Sequence, residues 1–167
     1  MIRDDMAERG MGLDINELEA MAKRCRRNIV RMVYGVGAGH PGGSLSAIDM
    51  LTALYGHRLR VNENEPSWSD RDRFIMSKGH ASPGVYSILH ERGFISENDM
   101  WSFRKLGGSC QGHVDMKWCP GVDFSAGSLG MGLSFGIGCS LAASLDASSR
   151  TSWVMLGDGE LQEGQVW

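Results

Sequence analysis

Charge of one sign, cysteine and long apolar runs are scarce in this sequence. Seventeen Lys and Arg stand against 20 Asp and Glu, a net charge of −3 with no run of like charge. The basic footprint of a nucleic-acid binder is therefore missing. No stretch approaches the ~18 apolar residues needed to cross a bilayer, and the segment from Met1 to Gly10 lacks the apolar centre of a signal peptide. The expectation is a cytoplasmic protein that engages neither membrane nor nucleic acid. Cys25, Cys110, Cys119 and Cys139 are too few and too irregular for a disulfide framework, so reduced thiols are expected. Cys110, His113 and Cys119 contain zinc-ligand chemistry, but no Cys-x-x-Cys pair or fourth ligand accompanies them, and structural cysteines are the plainer reading.

Glycine, by contrast, is plentiful. The 23 glycines fall in short clusters rather than one linker, as expected where backbone repeatedly comes close to a ligand. With 167 residues the chain suits one core and one domain. Residues 1–13 read as a polar, flexible lead, and residues 14–167 as the domain.

Asp14 followed by Glu17 predicts a capped helix, with Leu18, Met21, Ala22, Cys25, Ile29, Met32 and Val33 at three- and four-residue spacing to about Tyr34. Lys23, Arg24, Arg26, Arg27 and Arg31 lie along it, as a solvated face or a phosphate patch. A Gly-rich loop, Gly35 to Ser44, breaks that helix and carries His40, and Ser44 is placed to cap a second helix reaching about Tyr55. Phe74 to Met76 predicts a short strand that runs into Ser77-Lys78-Gly79-His80, so a second histidine sits at a strand's carboxyl end, where open α/β sheets bind ligands. Ser96 predicts the cap of a helix through Met100, Trp101, Phe103 and Leu106, ended by Gly107 and Gly108, and Gly112-His113 follows. Three histidines, each directly after glycine and each in a different loop, form a pattern rather than three accidents.

The segment from Gly127 to Gly138 opens another helix. Its Gly130-x-Gly132-x-x-x-Gly136 spacing imitates a dinucleotide fingerprint, yet Gly121 to Ala126 make a poor buried strand before it. Trp153 to Leu156 are four apolar residues running into Gly157-Asp158-Gly159, which fits a buried strand ending in a tight turn, with Glu160 to Trp167 as the first turns of a helix. Taken alone, Asp158 is either a solvated turn carboxylate or a hard oxygen ligand for Mg²⁺ or Ca²⁺ beside a diphosphate.

Gly157-Asp158-Gly159 followed by Glu163-Gly164 resembles the opening of the thiamine diphosphate signature in its transketolase version. Gly39-His40-Pro41-Gly42-Gly43-Ser44-Leu45-Ser46, with Gly39 eight residues beyond Arg31, resembles the transketolase N-terminal signature, and Asp72 to Ala81 is similar to another segment of that family. The resemblance covers about residue 14 to 167. It implies an α/β thiamine diphosphate-binding fold, a doubly wound parallel sheet with a helix-rich N-terminal part, incomplete at the C-terminus. It implies that Asp158 ligates Mg²⁺ (or Ca²⁺), that Gly157 and Gly159 shape the turn admitting the diphosphate, and that Gly127, Ser128 and Leu129 make backbone contacts to the cofactor. His40, His80 and His113 would line the channel over the thiazolium and shuttle protons, and Glu163 would join an acidic network at a subunit boundary.

The family signature also has an Asn further downstream as second metal ligand, expected either on a continuation of the sequence or on another polypeptide, and its activating Glu belongs to the family's pyrimidine-binding domain. The resemblance therefore implies a diphosphate-side component that moves a two-carbon ketol unit between sugar phosphates only in an oligomer with a pyrimidine-domain subunit, and is inactive alone. A component of a deoxyxylulose-phosphate synthase-like enzyme, a degenerate non-catalytic scaffold and a nicotinamide-binding module are the competing readings.

Overall fold

The helix predicted at Asp14 forms as the sequence dictates. In the computed structural model, which describes residues 12–167, α1 spans Ile15–Val36. The Asp14 side chain accepts from the Glu17 N–H at 2.9 Å while Glu17 accepts from the Asp14 N–H at 2.8 Å, a reciprocal capping box. Gly37, at φ 69°, closes the other end in the left-handed region, two residues later than expected. The 1–11 part of the expected flexible lead lies outside the described residues.

α1 buries Met21, Ala22, Cys25, Ile29 and Met32 against α2 (Pro41–Ala53) and α3 (Ser82–Glu91). Its basic face is largely engaged by protein: Arg24 pairs with Glu91 at 2.7 Å, Arg26 pairs with Asp49, and Arg31 lies over the Trp101 ring. That favours the solvated-face reading over a phosphate patch. α2 begins earlier than predicted, because Pro41 at its first turn is pre-set for helix and needs no N–H there. Ser44 is consequently inside α2 and buried, and the residue at the cap position is His40, which makes no capping hydrogen bond. The helix expected from Ser96 is capped by a Ser96–Asp99 box but lasts only Glu97–Met100 (α4), after which a chain of turns leads to Gly108.

Two strands form a parallel sheet, β1 (Arg73–Met76) and β2 (Ser152–Met155), with Arg73 opposite Ser152 and Met76 opposite Met155. Side chains alternate across it. Phe74 and Met76 enter the main core with Tyr55, Val85 and Tyr86, whereas Ile75 and Val154 meet α5 (Met131–Leu145) at Gly136. One face thus meets Tyr55, Val85 of α3 and the 114–124 segment, behind which α1 packs on α2 and α3, and the other face is covered by α5, the two-sided cover a parallel sheet requires. The sequence between Gly121 and Ala126 forms no strand. It is held instead by Asp123, which is buried with Arg71 in a two-pronged ion pair and also accepts the Phe74 N–H at 2.9 Å.

α5 is apolar all round, and its buried residues are Gly132, Gly136 and Ala143. Ile137, Leu141 and Leu145 are exposed on its outer side. No helix among the described residues is long and apolar enough to cross a membrane.

Candidate active site

Both strands end at the same edge. The Ser77 N–H bonds to Met155 O at 3.0 Å, so the segment after β1, Ser77 to Ala81, lies beside the segment after β2, Leu156 to Gly159. The Lys78 side chain runs along Gly157, where an added Cβ would stand 3.4 Å from Lys78 Cδ. His80, two residues further, is therefore brought to the edge that carries Asp158. Asp158 is exposed, as are Gly159 and Glu163, while Gly157 is buried.

The other two histidines converge on His80. The His40 and His80 rings lie 5.2 Å apart, and Gly43 permits this: a Cβ there would be 3.3 Å from His80 Nε2. His113 sits on an irregular loop that is pinned from below. Tyr86 Oη donates to Gln111 O at 2.9 Å and lies 3.0 Å from His113 O, Ser82 Oγ donates to Gly112 O at 2.8 Å, and the Val114 N–H reaches Gly79 O at 3.3 Å. Gly79 itself is obligatory, because a Cβ would collide with Ala126.

Burial lowers the His80 pKa below its ordinary value, helped by the neighbouring His40, His113 and Lys78 and opposed by Glu160. Partial desolvation lowers that of His113 as well, with His40 and Arg104 adding to it. Both imidazoles are therefore neutral at neutral pH, able to accept a proton at one nitrogen and donate at the other. The thiols differ: burial pushes Cys25 up to about 11, and contact with Cys110 together with burial raises Cys119. These are inert core sulfurs rather than nucleophiles. All four cysteines are free.

Between Ala126 and α5, Gly127 and Ser128 are exposed and Leu129 half-buried. Their N–H groups make no hydrogen bond within the described residues, whereas those of Gly130 and Gly132 do. An anion laid against this loop would meet free donors at 127–129. Among the described residues, no group of three His, Cys, Asp or Glu side chains closes a cation site. Asp158 is an exposed carboxylate, a hard oxygen donor of the kind Mg²⁺ takes one or two of beside phosphate groups.

Glu160 belongs to this site although the sequence pattern did not single it out. It is 2 % exposed and accepts from the Ser77 hydroxyl, from the Gly130 N–H at 2.8 Å and from the Gly157 N–H at 2.8 Å. The helix expected over Glu160 to Trp167 is replaced by two short tight turns, Gly159–Gln162 and Gly164–Val166. A carboxylate drawn inward explains why: Glu160 is held to two other segments, at Ser77 and Gly130, and back to Gly157 of its own turn, instead of facing out from a helix start. Its signal in the sequence was an acid immediately after the Gly-Asp-Gly turn, which reads equally well as a first-turn helix residue.

Fold and site together define an α/β protein that gathers these histidines and Asp158 at the carboxyl ends of parallel strands, the position where such sheets take cofactors. More narrowly, the chain belongs to the transketolase family, since the family described as "Transketolase, thiamine diphosphate binding domain" matches residues 18–166. An apulose-4-phosphate transketolase subunit of Phocaeicola vulgatus is 38% identical over 155 residues, 93% of this chain and 55% of that protein. The 6-deoxy-6-sulfo-D-fructose transketolase subunit SqwG of a Clostridium species is 35% identical over 151 residues, 90% of this chain and 55% of the relative. The transketolase structure from Campylobacter jejuni superposes with a TM-score of 0.84 at 34% identity, covering 91% of this chain and 25% of that one. The chain therefore spans about half the length of the subunit relatives and about a quarter of the solved transketolase.

Proposed function

We propose that this chain is the diphosphate-side component of a thiamine diphosphate- and Mg²⁺-dependent transketolase that transfers a two-carbon ketol unit from a ketose phosphate to an aldose phosphate. The observation that carries the reading is the meeting of three imidazoles, from three separate loops, at the strand edge that also carries Asp158. Two relatives named as subunits support a division of the enzyme between polypeptides, here with a pyrimidine-domain subunit as partner in an oligomer. The names of those relatives specify a phosphorylated and a sulfonated sugar, so the substrate class is an anionic ketose. Four free thiols accord with a cytoplasmic location.

When bound, the cofactor supplies the electron sink for carbon–carbon cleavage. The protein supplies the rest. Asp158 holds the cation that neutralises the diphosphate, Gly157 and Gly159 let the turn approach it, and Gly127, Ser128 and Leu129 offer backbone contacts. His40, His80 and His113 hydrogen-bond the sugar hydroxyls and carbonyl. Because His80 and His113 are neutral near pH 7, each can take a proton from a hydroxyl and return it, the role for which imidazole is best matched. Glu163 is exposed and close to Gly130, where an added Cβ would lie 3.4 Å from its own Cβ, and would join the acidic network at the subunit boundary.

The test is reconstitution. The chain mixed with a pyrimidine-domain transketolase subunit, thiamine diphosphate and Mg²⁺ is expected to convert a ketose phosphate and an aldose phosphate, and each component alone is expected to be inactive. A stable complex that forms no ketol-transfer product across a panel of phosphorylated and sulfonated ketoses would overturn the reading.

A further inference from the structure

Glu160 is buried, and no Lys, Arg or His among the described residues forms an ion pair with it. Its carboxylate is held by hydrogen bonds alone. Oε1 accepts from Ser77 Oγ and from the Gly130 N–H at 2.8 Å, and Oε2 accepts from the Gly157 N–H at 2.8 Å. Ser77 Oγ in turn accepts from the Gly132 N–H at 3.1 Å, so the hydroxyl proton is directed to Glu160 and the chain of donors runs one way, from Gly132 through Ser77 to the carboxylate. The donors come from the end of β1, the start of α5 and the end of β2. Ser77, itself fully buried, joins the same three places, since its N–H also reaches Met155 O at 3.0 Å.

The bonds also sort the backbone donors. With the Gly130 and Gly132 N–H groups engaged by Glu160 and Ser77, the N–H groups left without a hydrogen bond on that loop are those of residues 127–129. With the Gly157 N–H turned inward, the next residue, Asp158, projects its side chain outward. We infer that Glu160, together with Ser77, is a positioning residue for the diphosphate site: it fixes the span between the 127–129 backbone and the Asp158 carboxylate. This rests on the cofactor reading above. A diphosphate and its cation must bridge that span, and a displacement of about 1 Å in such a site costs binding and rate out of proportion to its size. Glu160 itself touches no ligand.

Glu160→Gln keeps the shape but replaces an acceptor by an NH₂ group. Whichever way the amide is turned, at least one of the three donors then meets a donor, and one loop must move. The full chain, alone and mixed with the pyrimidine-domain subunit, would be titrated calorimetrically with thiamine diphosphate in excess Mg²⁺, with amide hydrogen exchange followed at Gly130 and Gly157. E160Q is expected to weaken the cofactor at least tenfold and to speed exchange at both amides. Gly136→Ala, which disturbs α5 against Val154 away from these loops, serves as the comparison: it should lower the thermal midpoint with little change in cofactor affinity.

An E160Q protein that binds within twofold of wild type, or whose loss only matches that of G136A, overturns the inference while leaving the cofactor reading intact. A wild type that binds no cofactor in either form overturns both. Should E160Q not fold, Ser77→Ala asks the same question, since it removes the hydroxyl between Gly132 and Glu160; at least a threefold weakening is expected, and unchanged affinity refutes the positioning role.

Discussion

At the scale of single residues, the site is governed by the company each imidazole keeps. His80 and His113 have folded-state pKa values below the ordinary 6.5, so the unfolded chain binds more protons than the folded one as pH drops through that value. Their contribution to stability is fully present above pH 6.5 and is lost as pH falls through 6.5 toward and past the lowered values. Urea midpoints measured from about pH 7.5 down to about pH 5 should fall, and the double variant His80→Asn/His113→Asn should show a shallower fall. A slope identical to wild type would mean that the two rings do not carry the linkage. The same neutrality has a functional side, because a charged cluster of three imidazoles would repel itself and could not accept protons from a sugar.

At the scale of elements, glycine decides how closely α5 approaches the sheet. A Cβ on Gly132 would stand 2.5 Å from the Ser77 Oγ and 2.7 Å from its Cα, a backbone atom that cannot swing aside. Gly138, on the same helix, has nothing within 4 Å. Gly132→Ala is therefore expected to destabilise by about 1–3 kcal/mol through overpacking. Gly138→Ala should stabilise by up to ~1 kcal/mol through helix propensity. Urea unfolding of the two variants separates these outcomes, and equal behaviour would show that the close helix–strand approach is not maintained. The irregular 114–126 segment makes the complementary point. It has no ladder of its own, and its shape depends on the Arg71–Asp123 pair and on Gly79 fitting under Ala126 near one end, and on the Val114 N–H reaching Gly79 O at the other.

At the scale of the whole molecule, the two strands, their helical layers and the His113 loop converge on one edge, and a ligand seated there should stabilise the assembly as a unit. A ligand present at 100 times its dissociation constant adds about 2.7 kcal/mol. Thiamine diphosphate with Mg²⁺ is expected to raise the thermal midpoint of the reconstituted complex by several degrees. Asp158→Asn should weaken the cofactor at least tenfold, about 1.4 kcal/mol, and remove most of that shift, while its midpoint without cofactor stays near wild type because the side chain is exposed. A D158N complex stabilised as much as wild type would place the cation elsewhere.

Much of this was legible in the chain itself. The Asp14–Glu17 box, the apolar period of α1, the strands expected over Phe74 to Met76 and Trp153 to Leu156, the second of which forms over Ser152–Met155 with only Met155 buried, and three histidines each following a glycine are local patterns, and local patterns are written by local physics: capping, periodicity and the steric freedom of glycine. Interactions between distant segments were not legible. The pairing of the two strands, which sets His80 beside the Asp158 turn, joins residues more than 75 positions apart. The inward turn of Glu160, which replaces an expected helix by tight turns, depends on Ser77 and Gly130 reaching it from elsewhere. Sequence alone thus determined which groups were available and which family they resemble. Only the tertiary structure decided which of them gather at the ends of the strands and which turn inward, because a buried carboxylate takes its surroundings from the donors that reach it and not from its neighbours in the chain.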